Sequence, residues 1–184
     1  MLEPNFSPFP ELRTEHLLLR QYTLADAPEL FRLRSDERVL RYIGREPQKT
    51  VQDAEKFIEV INTNIAKNDS ILWAICFLDD PTKTIGNICY WRLEPSNYRA
   101  EIGYSLSPDH WGKGIVKEAI LKVLEYGFET MKLHSVEART TPANIASCKV
   151  LEKAGFIKEG HLKEEFCFHE KFFDTLIYSR LQSK

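Results

Sequence analysis

Three apolar, strand-like runs, Ile71 to Leu78, Thr84 to Leu93 and Arg99 to Leu106, follow one another separated by the clusters Asp79-Asp80-Pro81 and Pro95-Ser96-Asn97. Asp, Pro, Ser and Asn in such clusters make tight turns. Connections this short cannot carry the chain back across a sheet, so the three runs pair as an antiparallel meander. This meander fixes the centre of the fold.

The flanking segments alternate between strand and helix. His16 to Tyr22 reads as a strand. Thr23 then opens a helix as its N-cap, with Leu30, Phe31, Leu33 and Val39 on its apolar side. Thr50 followed by Asp53, Phe57, Ile58 and Ile61 marks a second capped, amphipathic helix. After the meander, Val116, Ala119, Ile120, Val123, Leu124 and Gly127 recur at helical spacing, with Lys117, Glu118, Lys122 and Glu125 on the opposite side. His134 to Arg139 is a strand, Asn144 to Ala154 a helix closed by Gly155, and Phe156-Ile157-Lys158 a strand start. Thr175 to Leu181 is the last strand. The order is strand, two helices, three strands, helix, strand, helix, two strands, in one α+β domain spanning residues 1–184, with about residues 1–11 as an N-terminal extension.

Composition limits the partners. A chain of 184 residues that is 43% hydrophobic is long enough for one real core. Its formal charge of −2 argues against a nucleic-acid partner held by phosphate neutralisation. No apolar run approaches the roughly 20 residues that span a bilayer, and the polar start Met1-Leu2-Glu3-Pro4-Asn5 is unlike a signal peptide. The expectation is a cytoplasmic protein, monomeric or homodimeric, without a membrane partner. Cys76, Cys89, Cys148 and Cys167 contain no CxxC pair and read as reduced, small core residues; the five histidines are equally scattered, so no metal site is expected.

Gly112-Lys113-Gly114 lies between a strand and a helix. There the amides of the turn and of the first helical turn are free to point at an anion, and a pyrophosphate is the natural guest. Glycine is needed where a Cβ would keep phosphate from the backbone or where φ is positive. By itself a GxG is better explained by a tight strand-to-helix turn. It is neither a P-loop nor a dinucleotide fingerprint, which require a following Lys-Ser/Thr or a third glycine in a βαβ unit.

Three segments together carry a resemblance. They are Leu12-Arg13-Thr14-Glu15-His16-Leu17-Leu18-Leu19-Arg20 with Asp26-Ala27; Glu101-Ile102-Gly103-Tyr104 running through Trp111-Gly112-Lys113-Gly114 to Glu118-Ala119; and Asn144-Ile145-Ala146-Ser147 with Leu151-Glu152-Lys153-Ala154-Gly155-Phe156. In this order they resemble the GNAT acetyltransferase superfamily, and most closely the branch with ribosomal-protein N-terminal alanine and serine acetyltransferases. The resemblance runs from Leu12 to Leu181. It departs from the coenzyme A loop pattern Gln/Arg-x-x-Gly-x-Gly/Ala at Trp111 and Val116, both of which still have backbone amides.

The resemblance implies a mixed, mostly antiparallel central sheet with helices on both faces, and acetyl-coenzyme A as acyl donor. It implies donor binding by the amides of Trp111, Gly112, Lys113, Gly114, Ile115 and Val116, by the backbone of Tyr104, Ser105 and Leu106 along the pantetheine arm, and by Asn144 and Ser147. It further implies that the strand Arg99 to Leu106 separates from a parallel neighbour beside the thioester.

The chemistry needs a neutral amine and a proton for the departing sulfur. Period-two alternation puts Glu101, Gly103 and Ser105 on one face of their strand and Ala100, Ile102, Tyr104 and Leu106 on the other. The resemblance makes Glu101 the general base, often acting through water; the alternative is a carboxylate ion-paired with Arg99 or Arg139. Many relatives have a tyrosine acid where this chain has Leu151, which leaves Ser147 to assist the sulfur. Its alternative is a first-turn residue behind an Asn144 N-cap.

For the acceptor, an α-amine with pKa of about 7.7 to 8.0 is roughly 10 to 20% neutral near pH 7, whereas a lysine amine is neutral on the order of once in 1,000. The expectation is acetyl transfer to a primary amine, an α-amine such as a protein N-terminus, by direct transfer in a ternary complex. The alternatives are a small metabolite, amino acid or drug amine as acceptor, or a non-catalytic acyl-coenzyme A-binding protein. Two segments are candidate acceptor edges: Glu164 to Glu170, which reads more readily as an ordinary half-buried strand, and Arg38, Arg41, Tyr42 and Arg45.

Overall fold

The computed structural model describes residues 1–182. One eight-stranded sheet organises them: β1 (Leu12–Arg13), β2 (Leu17–Arg20), β3 (Ile71–Phe77), β4 (Thr84–Glu94), β5 (Arg99–Leu106), β6 (Ser135–Thr140), β7 (Ile157–Phe168) and β8 (Lys171–Leu181), in spatial order β1-β2-β3-β4-β5-β6-β8-β7. All neighbours are antiparallel except β5 and β6. The meander expected from the short turns is β3-β4-β5.

Helices cover both faces. On β3, Ala74 and Cys76 pack with Tyr22, with Ala27 and Leu30 of α1 (Ala27–Ser35), and with Ala54 and Ile58 of α3 (Val51–Ala66). The alternate residues Trp73 and Ile75 enter the larger core with Ile115, Ala119, Ile120, Val123 and Leu124 of α4 (Ile115–Glu125) and Leu151 of α5 (Ile145–Lys153). Two-residue periodicity thus feeds two cores from one strand.

Several boundaries differ from the sequence expectation. The first expected helix starts late, because Thr23 opens a 3-10 turn (Leu24–Asp26), and it breaks at Asp36, whose extended backbone and carboxylate recap a short α2 (Glu37–Leu40) through Arg38 N–H at 2.9 Å. Three early helices stand where two were expected. α3 has the expected capping box, with Thr50 N–H to Asp53 at 2.9 Å and Asp53 N–H to Thr50 at 3.3 Å. After α4 the chain widens into a π-helical turn (Tyr126–Thr130), where the Tyr90 hydroxyl donates to the Val123 carbonyl at 2.9 Å. A side chain inserted in the helical ladder favours such a turn. β8 begins four residues earlier than expected and forms a long hairpin with β7, on which Cys167 is exposed and not a core residue. Residues 1–11 pack against the sheet: Leu2 and Phe6 are buried in the larger core.

Candidate active site

The parallel ladder between β5 and β6 is short. Arg99 pairs with Ser135, Ala100 with Val136 and Glu101 with Glu137, and pairing then stops although β5 continues to Leu106 and β6 to Thr140. From Ile102 onward β5 is held only by β4, and a gap opens at Glu101. A β-bulge between Tyr90 and Arg92 brings Arg92 opposite Glu101 and leaves Trp91 as the extra residue. The cleft at this gap has a volume of about 660 Å³ and is lined by Glu101, Tyr104, Ser105, Arg139, Asn144 and Ser147 among others. That size suits a small-molecule site.

Glu101 is buried, at 7% exposure. Its Oε2 lies 3.5 Å from Arg92 and 3.9 Å from Arg139 and accepts no hydrogen bond. Burial pushes its carboxyl above the usual range, and the Arg92 and Arg139 guanidinia oppose the shift only in part. The neighbouring Glu137 is occupied by Arg99 and by Arg139 at 2.8 Å. Of the alternatives for Glu101, the ion pair with Arg139 is present but loose, and the pair with Arg99 belongs to Glu137. Glu101 retains lone pairs that nothing in the protein uses.

The opposite face of β5 carries a second pair. The Tyr104 hydroxyl lies 2.8 Å from the Ser147 hydroxyl on α5, and burial pushes the Tyr104 phenol up to about 12. Such a phenol stays protonated at neutral pH. Asn144 is the N-cap of α5, its Oδ1 accepting Ser147 N–H at 3.2 Å, so the capping reading of both residues holds while the Ser147 hydroxyl is turned to Tyr104. Sequence reasoning used only the backbone of Tyr104. Its side chain was legible as sharing a face with the core residues Ala100 and Ile102, but its partner on α5 is 43 residues away. Leu151, where a tyrosine acid was sought, is fully buried. Ser105 donates to Asn87 at 3.0 Å.

Past the end of β5 the chain forms a 3-10 turn (Pro108–His110), and then Gly112 and Gly114 take φ of +76° and +82°. A Cβ at either would meet no protein atom within 4 Å. The glycines are therefore required by their left-handed backbone, and the space before them is open. The first α-helical bond runs from Glu118 N–H to Gly114 O at 3.1 Å, which leaves the amides of Ile115, Val116 and Lys117 free at the positive end of α4. Among the described residues the Gly112, Lys113 and Gly114 amides also donate to no carbonyl. Trp111 is a correction: its amide donates to Pro108 O at 3.2 Å and its indole to Leu106 O at 2.8 Å. Both of its donors are occupied, and the side chain ties the turn to the end of β5. The Lys113 ammonium folds onto Asp109 O at 2.9 Å.

The two candidate acceptor edges meet each other. His169 at the hairpin tip lies 2.9 Å from Glu46, and a Cβ on Gly44 would collide with the Phe166 ring. Glu165 is taken by Arg139 at 3.1 Å and Thr175 at 2.7 Å. Tyr42 and Arg45 line the cleft, whereas Arg38 is paired with Asp36 and Arg41 is exposed. Arg34, on α1, also lines it and was not foreseen. A separate depression of about 410 Å³ between α1 and the Ser107 to His110 segment contains neither Glu101, Tyr104 nor Ser147. Among the described residues no group of three or more His, Cys, Asp or Glu side chains could hold a metal ion, and no helix is long and apolar enough to cross a membrane.

Residues 16–157 match the acetyltransferase (GNAT) domain model. The chain is 36% identical over 171 residues to the Bacillus subtilis N-acetyltransferase YoaA, covering 93% of this chain and 96% of that one. It is 28% identical to the Escherichia coli ribosomal-protein-serine acetyltransferase, over 71% of this chain and 73% of that one. Among solved structures, spermidine N-acetyltransferase from Vibrio cholerae in complex with coenzyme A and spermine superposes with a TM-score of 0.81 at 25% identity, covering 92% and 97% of the two chains. With a sheet that parts beside a buried glutamate and an open amide turn at the head of α4, the chain belongs to the GNAT acetyltransferase family and is an acetyl-coenzyme A-dependent N-acetyltransferase.

Proposed function

We propose that the protein transfers the acetyl group directly to an α-amine, such as the N-terminus of a peptide, in a ternary complex at the gap between β5 and β6. The observation that carries this reading is the parting of the two strands immediately after Glu101. It leaves an unpartnered carboxylate oxygen on one face of β5 and a hydroxyl pair on the other.

The donor pyrophosphate sits on the amides of Gly112 to Val116, and the pantetheine arm runs along the unpaired edge of β5 at Tyr104 to Leu106 and past Asn144. Glu101 takes a proton from the attacking amine through a water. The nitrogen forms a bond to the acetyl carbon, and the carbon–sulfur bond breaks. The departing thiolate is stabilised by a hydrogen bond from the Ser147 hydroxyl, which Tyr104 orients, and takes its proton from water, to which Glu101 returns the proton it accepted. A raised carboxyl pKa suits Glu101 to this exchange, because a base poised nearer neutrality transfers protons more readily. An α-amine needs the least help from such a base. The likeness to a ribosomal-protein-serine acetyltransferase supports the same acceptor class.

A panel of peptides and small amines, read by coenzyme A thiol release and product mass, tests the acceptor. α-Amines should be acetylated faster than matched ε-amines, and a preference for ε-amines would overturn the assignment. Glu101→Gln and Ser147→Ala should lower turnover more than donor affinity; full activity in both would remove these roles.

A further inference from the structure

The acceptor half of the cleft contains two cations that the protein itself does not neutralise. Arg34, from α1, and Arg45, from the segment between α2 and α3, both line the cleft that contains Glu101. Among the described residues neither lies within 4.0 Å of a carboxylate, and the Nε of each is buried without an acceptor. Arg34 is stacked on Phe57, its guanidinium carbon 3.6 Å from the ring centroid, which fixes the plane of the fork. Burial, with Arg45 close by, pushes Arg34 down to about 10, so two like charges are held together at neutral pH. Every other half-buried arginine has partners: Arg20 reaches Asp26, Arg99 reaches Glu137, and Arg180 donates to Ala154 O.

Two desolvated guanidinia without an anion are costly, and a ligand anion offsets that cost through paired, charge-assisted hydrogen bonds. The donor phosphates do not fill this role, because no residue from Pro108 to Lys117 lines this cleft. Cys89 lies within electrostatic range of both Arg45 and Glu101, which puts Arg45 near the base. We propose that Arg34 and Arg45 form a clamp for an anionic group of the acceptor, a carboxylate or a phosphate close to the amine that receives the acetyl group. This rests on reading the cleft as the acceptor site of an acetyl transfer. It also sets the chain apart from a polyamine acetyltransferase, since a polycation would meet two unpaired positive charges.

The test uses acceptors that differ only in the anion: amino acids against their amides, peptide amides beginning Asp or Glu against Asn or Gln, and phosphoethanolamine against ethanolamine. The wild-type protein should favour the anionic member of at least one pair tenfold or more in kcat/KM, and spermidine should be slower than any anionic acceptor. The pair with the largest ratio separates a carboxylate from a phosphate, and either supports the clamp. In Arg34→Gln and Arg45→Gln the ratio should fall toward one, chiefly through KM. Equal rates within every pair, or a ratio unchanged in both variants, would overturn the clamp while leaving acetyl transfer standing. Loss of coenzyme A affinity in the variants would assign the arginines to the donor and also overturn it. Absence of thiol release with every amine would remove the function and the clamp together.

Discussion

α1 connects two buried charge clusters that are handled in opposite ways. At its start, Asp26 accepts two bonds from Arg20, at 2.8 and 2.6 Å, one from Thr84 at 2.9 Å and one from Thr23 N–H at 2.8 Å. Burial pushes the Asp26 carboxyl up, but these donors outweigh it and hold the group below the usual carboxylate range. Near its other end, Arg34 enters a cleft where it, Arg45 and Glu101 each keep a buried atom without a partner. The first cluster ties β2, the head of α1 and β4 into one unit. The second keeps hydrogen-bonding capacity that the protein does not use, as the proposed base and anion clamp require. Burial does not distinguish the two clusters; the unused hydrogen-bonding capacity does.

Removing one partner of the closed cluster should have the largest effect. Asp26→Ala leaves the half-buried Arg20 without a counter-ion, and should cost about 3–5 kcal/mol of stability in urea denaturation. A loss below about 1 kcal/mol would break the contrast. Gly114→Asp comes next: the space around it is open and Asp tolerates a left-handed backbone, so the fold should hold while coenzyme A binding weakens about 150-fold, or roughly 3 kcal/mol, in calorimetry. Unchanged affinity would remove the amide turn from the donor site.

Glu101→Gln should lower kcat/KM by about 100-fold without lowering Tm, because the variant deletes a buried charge whose Oε2 has no hydrogen-bond partner. A fall in Tm matching that of Asp26→Ala would place Glu101 with the structural carboxylates. Tyr104→Phe should have the smallest effect, about tenfold in kcat, since Ser147 remains to serve the sulfur.

Acid distinguishes the two carboxylates by sign. The folded pKa of Asp26 lies below the unfolded value of about 3.9, so its contribution is present above that value and is lost as pH falls through the folded pKa. Glu101 is raised between Arg92 and Arg139, so its contribution is full below about pH 4.3 and is lost as pH rises through the folded pKa. Wild type should therefore gain stability relative to Glu101→Gln as pH drops from 7 toward 4, measured by urea melts at each pH. The opposite slope would show that the carboxylate is stabilised by its arginines.

Much of this organisation was legible along the chain. Short turns required the β3-β4-β5 meander, Thr50 and Asp53 announced α3, and Gly112-Lys113-Gly114 announced a left-handed turn before α4. These are local statements, decided by φ, by i to i+3 hydrogen bonds and by alternation within one segment. The break at Asp36 was missed because a polar cap inside an apolar pattern reads as the exposed side of one helix. The early start of β8 was missed because Lys171 to Asp174, Lys-Phe-Phe-Asp, lies in an overhanging hairpin that no apolar face demands.

The sequence by itself determined the family, through the order of three motifs along the chain, and it singled out the Gly112-Lys113-Gly114 turn and Glu101 as the places to examine, since each motif is written in residues that are neighbours in the chain. Only the tertiary structure decided that pairing of β5 with β6 ends at Glu101, that Tyr104 meets Ser147, that the donors of Trp111 are spent, and that Arg34 and Arg45 share one cleft without a counter-ion. The physical reason is the same for all four. Whether a buried polar atom is satisfied depends on what distant segments bring within about 3 Å of it.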